Sequence, residues 1–136
     1  MDQERFEEVA HTADWSLRVR GATLDELLQN AALGMQTLAG AQPARGPGRM
    51  ARIRVEAPDA EGLLVAWLEE VLFRIEARQV CIQDAVVRTR QGRRLAARLR
   101  EVPLASLARQ IKAVTYHNLA VEQTTDGLVA TVTFDV

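Results

Sequence analysis

The chain has 136 residues, of which 48% are apolar and 26% charged, with a formal net charge of −1. This length and composition predict a single globular domain over residues 1–136, and the near-zero charge excludes a global field that would attract nucleic acid. Cys81, the single cysteine, excludes an intramolecular disulfide and a multi-thiolate zinc site. The chain lacks a secretory pattern at its start and an apolar run of about 20 residues, so we expect a cytoplasmic protein without membrane contact.

The first predicted elements are a strand and a helix. Residues 15–20 alternate between apolar and polar side chains, which is typical of a half-buried strand. Thr23 is then predicted to be the N-cap of a helix, and Glu26 at the third helical position completes a capping box. Leucine, alanine and methionine residues at helical spacing predict a core-facing stripe that continues to Leu38, and Gly40 can end the helix.

A second strand and a second helix follow a loop rich in proline and glycine at residues 42–49. Alternation at residues 52–56 predicts the strand. Pro58 and Asp59 mark the start of the helix, in which apolar residues recur every three or four positions as far as Ile75. Trp67 belongs to this apolar stripe, so we expect it in the core rather than in a binding site.

Residues 80–90 and 93–101 predict two strands joined by a tight turn at Gln91 and Gly92. In this register Ile82 and Val86 face inward. Cys81 is expected to be a small buried strand residue rather than a nucleophile.

This predicted hairpin is strongly basic, and two interpretations of its charge stay open. One is a solvated sheet edge that resists aggregation; the other is a local face for RNA or an acidic partner. Its arginines are Arg88, Arg90, Arg93, Arg94, Arg98 and Arg100.

The last third of the chain predicts a short connection with one helical turn at residues 103–109, and then two more strands. The first covers residues 111–123 with a polar interruption at 116–118, and the second covers residues 128–134 after a turn at 125–127. Together the elements predict an α+β layered domain, with two main helices packed on a mostly antiparallel sheet.

Familiar catalytic motifs are absent from the sequence, including phosphate-binding loops, the nucleophile elbow and zinc-protease spacing. The histidines His11 and His117 are far apart in sequence. The remaining candidate functional groups are carboxylates. Asp14 precedes a strand, and Asp135 is followed by the carboxylate of Val136. Such oxygen donors favour Ca²⁺, Mg²⁺ or Mn²⁺ if they converge. The alternative is that Asp14 caps a turn and Asp135 is a solvated strand end.

Four stretches in register resemble the archease family: residues 11–14 (HTAD), the apolar helix at 63–72, the block at 112–119 (KAVTYHNL) and the terminal residues 134–136 (FDV). The resemblance runs from residue 6 to residue 136. It implies a small α+β protein that is not an enzyme but assists the RtcB-type RNA ligase of tRNA splicing. That ligase attaches GMP to its own histidine with manganese, and archease promotes this guanylylation and repeated turnover.

The resemblance also implies a site for a divalent metal ion, with calcium expected and Mg or Mn as alternatives. Its ligands correspond to Asp14, Asp135 and Val136. His11 is expected to support Asp14, contact the ligase or satisfy a backbone carbonyl. Lys112, Tyr116 and His117 either surround the site or face the partner as polar strand residues. The expected partner is the ligase, and contact with RNA is expected to be indirect. A binding module or small chaperone that uses the basic hairpin is the rival hypothesis, and a metal-dependent hydrolase is disfavoured because no general base lies near these carboxylates in sequence.

Overall fold

A computed structural model describes residues 4–9 and 15–136. The described elements are β1 (Phe6–Val9), β2 (Trp15–Gly21), α1 (Leu24–Ala39), β3 (Gln42–Pro43), β4 (Arg49–Glu56), α2 (Ala60–Arg78), β5 (Val80–Arg90), β6 (Arg94–Ser106), β7 (Ala113–Thr115), β8 (Val121–Thr124) and β9 (Gly127–Asp135). No helix in the described residues is long and apolar enough to span a membrane.

The described strands form two antiparallel sheets. The first has the order β1-β2-β9-β7, with β8 also paired to β9, and the second is built around β6, which pairs with β3, β4 and β5. Each helix contacts strands of both sheets, and buried residues from all these elements form one hydrophobic cluster. The prediction of an α+β layered fold with two main helices is therefore confirmed.

Both helices begin where the sequence predicts, because their first turns satisfy backbone N–H groups locally. Thr23 Oγ1 accepts from the N–H of Glu26 at 3.2 Å, and Asp59 Oδ1 accepts from the N–H of Gly62 at 2.7 Å. Gly40 ends α1 in the left-handed region, with φ of 67°. Trp67 is fully buried and its indole N–H donates to the Leu28 carbonyl at 2.7 Å, so its predicted place in the core is confirmed.

The hairpin β5–β6 turns at Gln91 and Gly92, both of which have positive φ, as a tight hairpin turn requires. The predicted inward position of Val86 is wrong, since this side chain is 44% exposed. Ile82 is buried as predicted, but a register shift between Ile82 and Asp84 reverses the alternation after it, so Val87 is buried instead of Val86.

Helix α1 covers the edge of β5 that β6 leaves unpaired. The Gln36 side chain accepts from the Ile82 N–H at 2.7 Å and donates to its carbonyl at 3.1 Å. Gln29 accepts from the Val87 N–H at 3.0 Å, and Asp25 accepts from Thr89 N–H at 2.9 Å in the same way. These polar helix residues protect a sheet edge that would otherwise expose unpaired backbone groups.

One prediction for the last third of the chain is also wrong, and another is confirmed in part. The connection predicted at 103–109 is strand as far as Ser106, because the carbonyl of Pro103 accepts from Ala44 N–H at 2.7 Å and the Leu104 N–H donates to the Gln79 carbonyl. The strand predicted at 111–123 begins at Ala113 and is interrupted where the sequence predicts, because a turn in which Asn118 has φ of 51° separates β7 from β8.

Cys81 is 6% exposed in β5, and this burial raises the pKa of its thiol. Because the thiolate is the reactive form, the folded protein is expected to react with a disulfide reagent at neutral pH on the order of tenfold or more slowly than the chain in concentrated guanidinium. The absorbance of the released thiolate reports the rate. Equal rates in the folded and unfolded states would contradict a buried, protonated Cys81.

Candidate metal centre

The candidate centre lies at the end of β9, the strand on which the first sheet is built. Trp15 of β2 and Val114 of β7 pair with Phe134 from either side, and the Phe134 ring is fully buried. Side chains alternate between the two faces of a strand. The next residue, Asp135, therefore directs its carboxylate away from the core, and it is exposed.

The backbone of Asp135 is fixed, whereas its side chain has no partner among the described residues. Asp135 pairs with Ala113, and its carbonyl accepts from the Lys112 N–H at 2.8 Å. Its carboxylate makes no hydrogen bond or ion pair with any residue in the described ranges. Val136 follows and is 37% exposed. The carboxylate of Asp135 is a hard oxygen donor, which suits a divalent ion such as calcium.

Asp14 and His11 lie outside the described residues, so the structure does not test their predicted roles. Within residues 4–9 and 15–136, no three His, Cys, Asp or Glu side chains are close enough together to hold a metal ion. The nearest described residue in sequence is Trp15, whose strand partner Phe134 directly precedes Asp135.

The three other predicted residues do not lie together. Lys112 is adjacent to the backbone of Asp135, but Tyr116 follows the β7 residue that pairs with Thr133. Tyr116 is therefore about three residue steps, roughly 10 Å, further along the strand. It is 62% exposed, and the exposed His117 ring is 3.3 Å from the Asn118 side-chain amide. Their exposure makes both side chains accessible to a partner.

Sequence reasoning missed the residues that surround this strand end. Ser16 and Thr133 hydroxyls are 3.2 Å apart between β2 and β9, and the Thr115 hydroxyl donates to the Thr133 carbonyl at 2.9 Å. The guanidinium of Arg109 lies 4.5 Å from the centre of the Trp15 ring. The alternation of Thr131, Thr133 and Asp135 in sequence could have indicated a polar face, but no local pattern predicts Arg109.

The basic hairpin of the sequence has its charges on the second sheet. Five of its arginines are exposed on the outward face, whereas Arg93 is in the turn and donates to Gln91 at 3.0 Å. Two arginines of β4 share that outward face and were not assigned to it from the sequence. We call the basic face the exposed arginines of β4, β5 and β6, namely Arg52, Arg54, Arg88, Arg90, Arg94, Arg98 and Arg100.

Comparison with known proteins finds one family that matches most of the chain and solved structures with the same fold. Residues 6–136 match the sequence profile described as the Archease protein family. Protein archease of Methanosarcina acetivorans is 32% identical, over 98% of this chain and 97% of the relative. The archease of Methanopyrus kandleri is 34% identical, over 87% of this chain and 89% of the relative.

Two solved structures share the architecture. The crystal structure from Thermotoga maritima, described as an archease and possible chaperone, superposes with a TM-score of 0.69 and covers all of both chains, at 22% identity. The solution structure of Methanobacterium thermoautotrophicum protein 1598 has a TM-score of 0.66 at 25% identity and covers 97% of this chain and 99% of its own.

Proposed function

This chain belongs to the archease family, and on that premise we propose that it activates an RtcB-type RNA ligase in tRNA splicing or RNA repair. In this role it promotes guanylylation of the ligase and its multiple turnover, and catalyses no chemical step itself. The proposed partner is the ligase, and contact with RNA is made through the ligase. The proposed location is the cytoplasm. The proposal rests on family membership. The exposed carboxylate of Asp135 at the end of β9 supports the proposed metal site.

The proposed metal ligands are Asp14, Asp135 and the carboxylate of Val136. The supporting observation is the pairing of Trp15 with Phe134, because Asp14 is covalently joined to Trp15 and Asp135 to Phe134. Calcium is the proposed ion, with Mg or Mn as alternatives, since all three ligands are oxygens. When bound, the ion neutralises the mutual repulsion of the carboxylates.

The other residues of the family motifs receive supporting roles in the proposal. Lys112 anchors the end of β9 through its backbone N–H bond to Asp135. Tyr116 and His117 are exposed beyond β7 and are proposed to contact the ligase rather than the metal ion. His11 is proposed to hold the segment that carries Asp14.

The test is single-turnover guanylylation of an RtcB-type ligase from the same organism, with and without this protein. We expect wild-type protein to increase the rate constant and both Asp14→Ala and Asp135→Ala to reduce that increase by about tenfold or more, because the affinity of an oxygen site depends on its carboxylate count. Variants are preferable to chelation in this assay, because the ligase itself is expected to use manganese.

The matched control is Glu122→Ala, which removes an exposed carboxylate from β8 of the same sheet. It should stimulate the ligase as wild type does. Full stimulation by both aspartate variants would overturn the metal site, and the absence of any stimulation by folded wild-type protein would overturn the proposed function.

A further inference from the structure

The basic face concentrates positive charge that the whole chain does not have. Seven arginines share it with two carboxylates, Glu56 and Asp84, on a chain whose formal net charge is −1. Glu56 lies opposite Arg94 in the pairing of β4 with β6, and Asp84 lies opposite Arg100 in the pairing of β5 with β6. Because residues 94 and 100 are at opposite ends of this part of β6, the middle of the face carries arginines and, among the described residues, no carboxylate.

The pairing of the strands places like charges directly opposite one another. Arg52 of β4 is the partner of Arg98, and Arg90 of β5 is the partner of Arg94. Like charges at directly opposed positions of a sheet are destabilising. Solubility does not require arginines in directly opposed positions. A bound anionic ligand would offset the repulsion between them.

Few of these arginines are neutralised within the described chain. Arg94 is 3.6 Å from Glu56, but both side chains are largely exposed, and Arg100 donates to the neutral Gln83 at 3.1 Å. The other five guanidinium groups form no ion pair with described residues. Their hydrogen-bonding capacity is available to a partner.

We propose that the basic face binds RNA directly, through the phosphates of its backbone. Guanidinium groups bind phosphate oxygens in a bidentate manner. Neighbouring strands are about 4.8 Å apart and alternate residues about 6.7 Å apart along a strand, so the face presents several phosphate-binding groups in a continuous array. This contact goes beyond the proposed function, in which RNA is reached through the ligase, and it does not depend on the metal ion.

The composition of the face favours RNA over an acidic protein. Arginine is common in both kinds of interface, but the core of a protein–protein interface is mainly apolar, whereas nucleic-acid interfaces are polar and strongly positive. The larger apolar side chains exposed among the arginines are Met50 and Val86, on different strands, rather than a contiguous apolar centre. A middle in which arginine is the only charged residue of the described ranges therefore matches a phosphate backbone better than a protein surface.

The test is binding of the full chain to a fluorescent single-stranded RNA of about 20 nucleotides, measured by anisotropy over a range of salt concentrations. The double variant Arg52→Gln with Arg98→Gln is expected to bind about tenfold or more weakly at low salt. Each phosphate contact to single-stranded nucleic acid contributes roughly 0.7 to the slope of log K against log salt, so the slope should decrease by about 1.4.

The matched control is Arg5→Gln with Arg18→Gln, which removes two arginines from the region of the first sheet and should bind RNA as wild type does. Circular dichroism and thermal unfolding establish that both double variants are folded. Equal losses in the two double variants would overturn the assignment to this face. Absence of wild-type RNA binding, or binding to phosphatidylserine vesicles or a polyglutamate peptide but not to RNA, would overturn the proposal whether or not the ligase is stimulated.

Discussion

Replacing Glu101 by alanine is expected to lower the free energy of unfolding by about 3–5 kcal/mol. The Glu101 side chain is completely buried between β6 and α2. One carboxylate oxygen accepts from Arg74 at 2.8 Å and the other from Arg78 at 3.0 Å. Removing the carboxylate leaves Arg74, whose side chain is only 14% exposed, as a largely buried charge without its closest partner.

Chemical denaturation followed by circular dichroism measures this effect, and Arg78→Ala and Glu70→Ala are the controls. Arg78 is 41% exposed and Glu70 35% exposed, so water replaces much of what either variant removes. We expect losses of about 1 kcal/mol or less for each control. A loss for Glu101→Ala no larger than for these controls would show that the buried pair contributes little.

This buried carboxylate is on the same strand as three arginines of the basic face. The inward residues Leu99 and Glu101 pack toward the helix, while Arg98 and Arg100 alternate with them and point outward. The pairing of β6 with β4 and β5 sets the direction of these arginines, whereas the ion pairs of Glu101 stabilise the contact between β6 and α2. We expect Glu101→Ala to weaken RNA binding only where it also unfolds the protein.

The elements that sequence predicts well are those whose signals are local. The ends of α1 and α2 depend on Thr23, Asp59 and Gly40, each of which acts within four residues of its own position. The β5–β6 turn likewise needs only Gln91 and Gly92. Such short-range geometry can be inferred from one window of the chain.

The errors arise where distant residues decide the outcome. The bulge near Gln83 reverses the faces of β5, and no residue type in that stretch specifies it. The Ile82 backbone that Gln36 contacts is 46 residues away and the partners of Glu101 are at least 23 residues away, so neither of these buried polar contacts has a local signature. Similarly, the strand character of residues 103–106 depends on backbone partners at Ala44 and Gln79.

The candidate site depends both on local sequence patterns and on pairing between distant residues. Asp135 was identified from its motif, and its exposure follows from alternation beside the buried Phe134. The pairing of Trp15 with Phe134 spans 119 positions and could not be inferred from spacing. The alternation of residues 52–55 places Arg52 and Arg54 on one face of their strand. Their place in the basic face depends also on the pairing of β4 with β6, which the sequence does not show.

Appending residues after Val136 is expected to raise the dissociation constant for calcium by about tenfold or more, because peptide bond formation converts the chain carboxylate into a neutral amide. One proposed ligand charge is lost while the proposed ligands Asp14 and Asp135 are retained, and the affinity of oxygen sites depends on ligand charge. A tenfold change corresponds to about 1.4 kcal/mol of binding free energy, which titration calorimetry resolves.

Two controls separate the carboxylate from its surroundings. The same peptide added before Met1 should leave calcium affinity unchanged, and Val136→Ala should change it by less than about twofold, because alanine keeps the chain carboxylate and removes only an exposed side chain. If the C-terminal extension binds calcium as tightly as wild type, the side chains alone hold the ion and Val136 is not a ligand. The backbone bond from Lys112 to Asp135 lies before the added residues, so a selective loss in the C-terminal extension assigns the missing ligand to the carboxylate rather than to a disturbed strand.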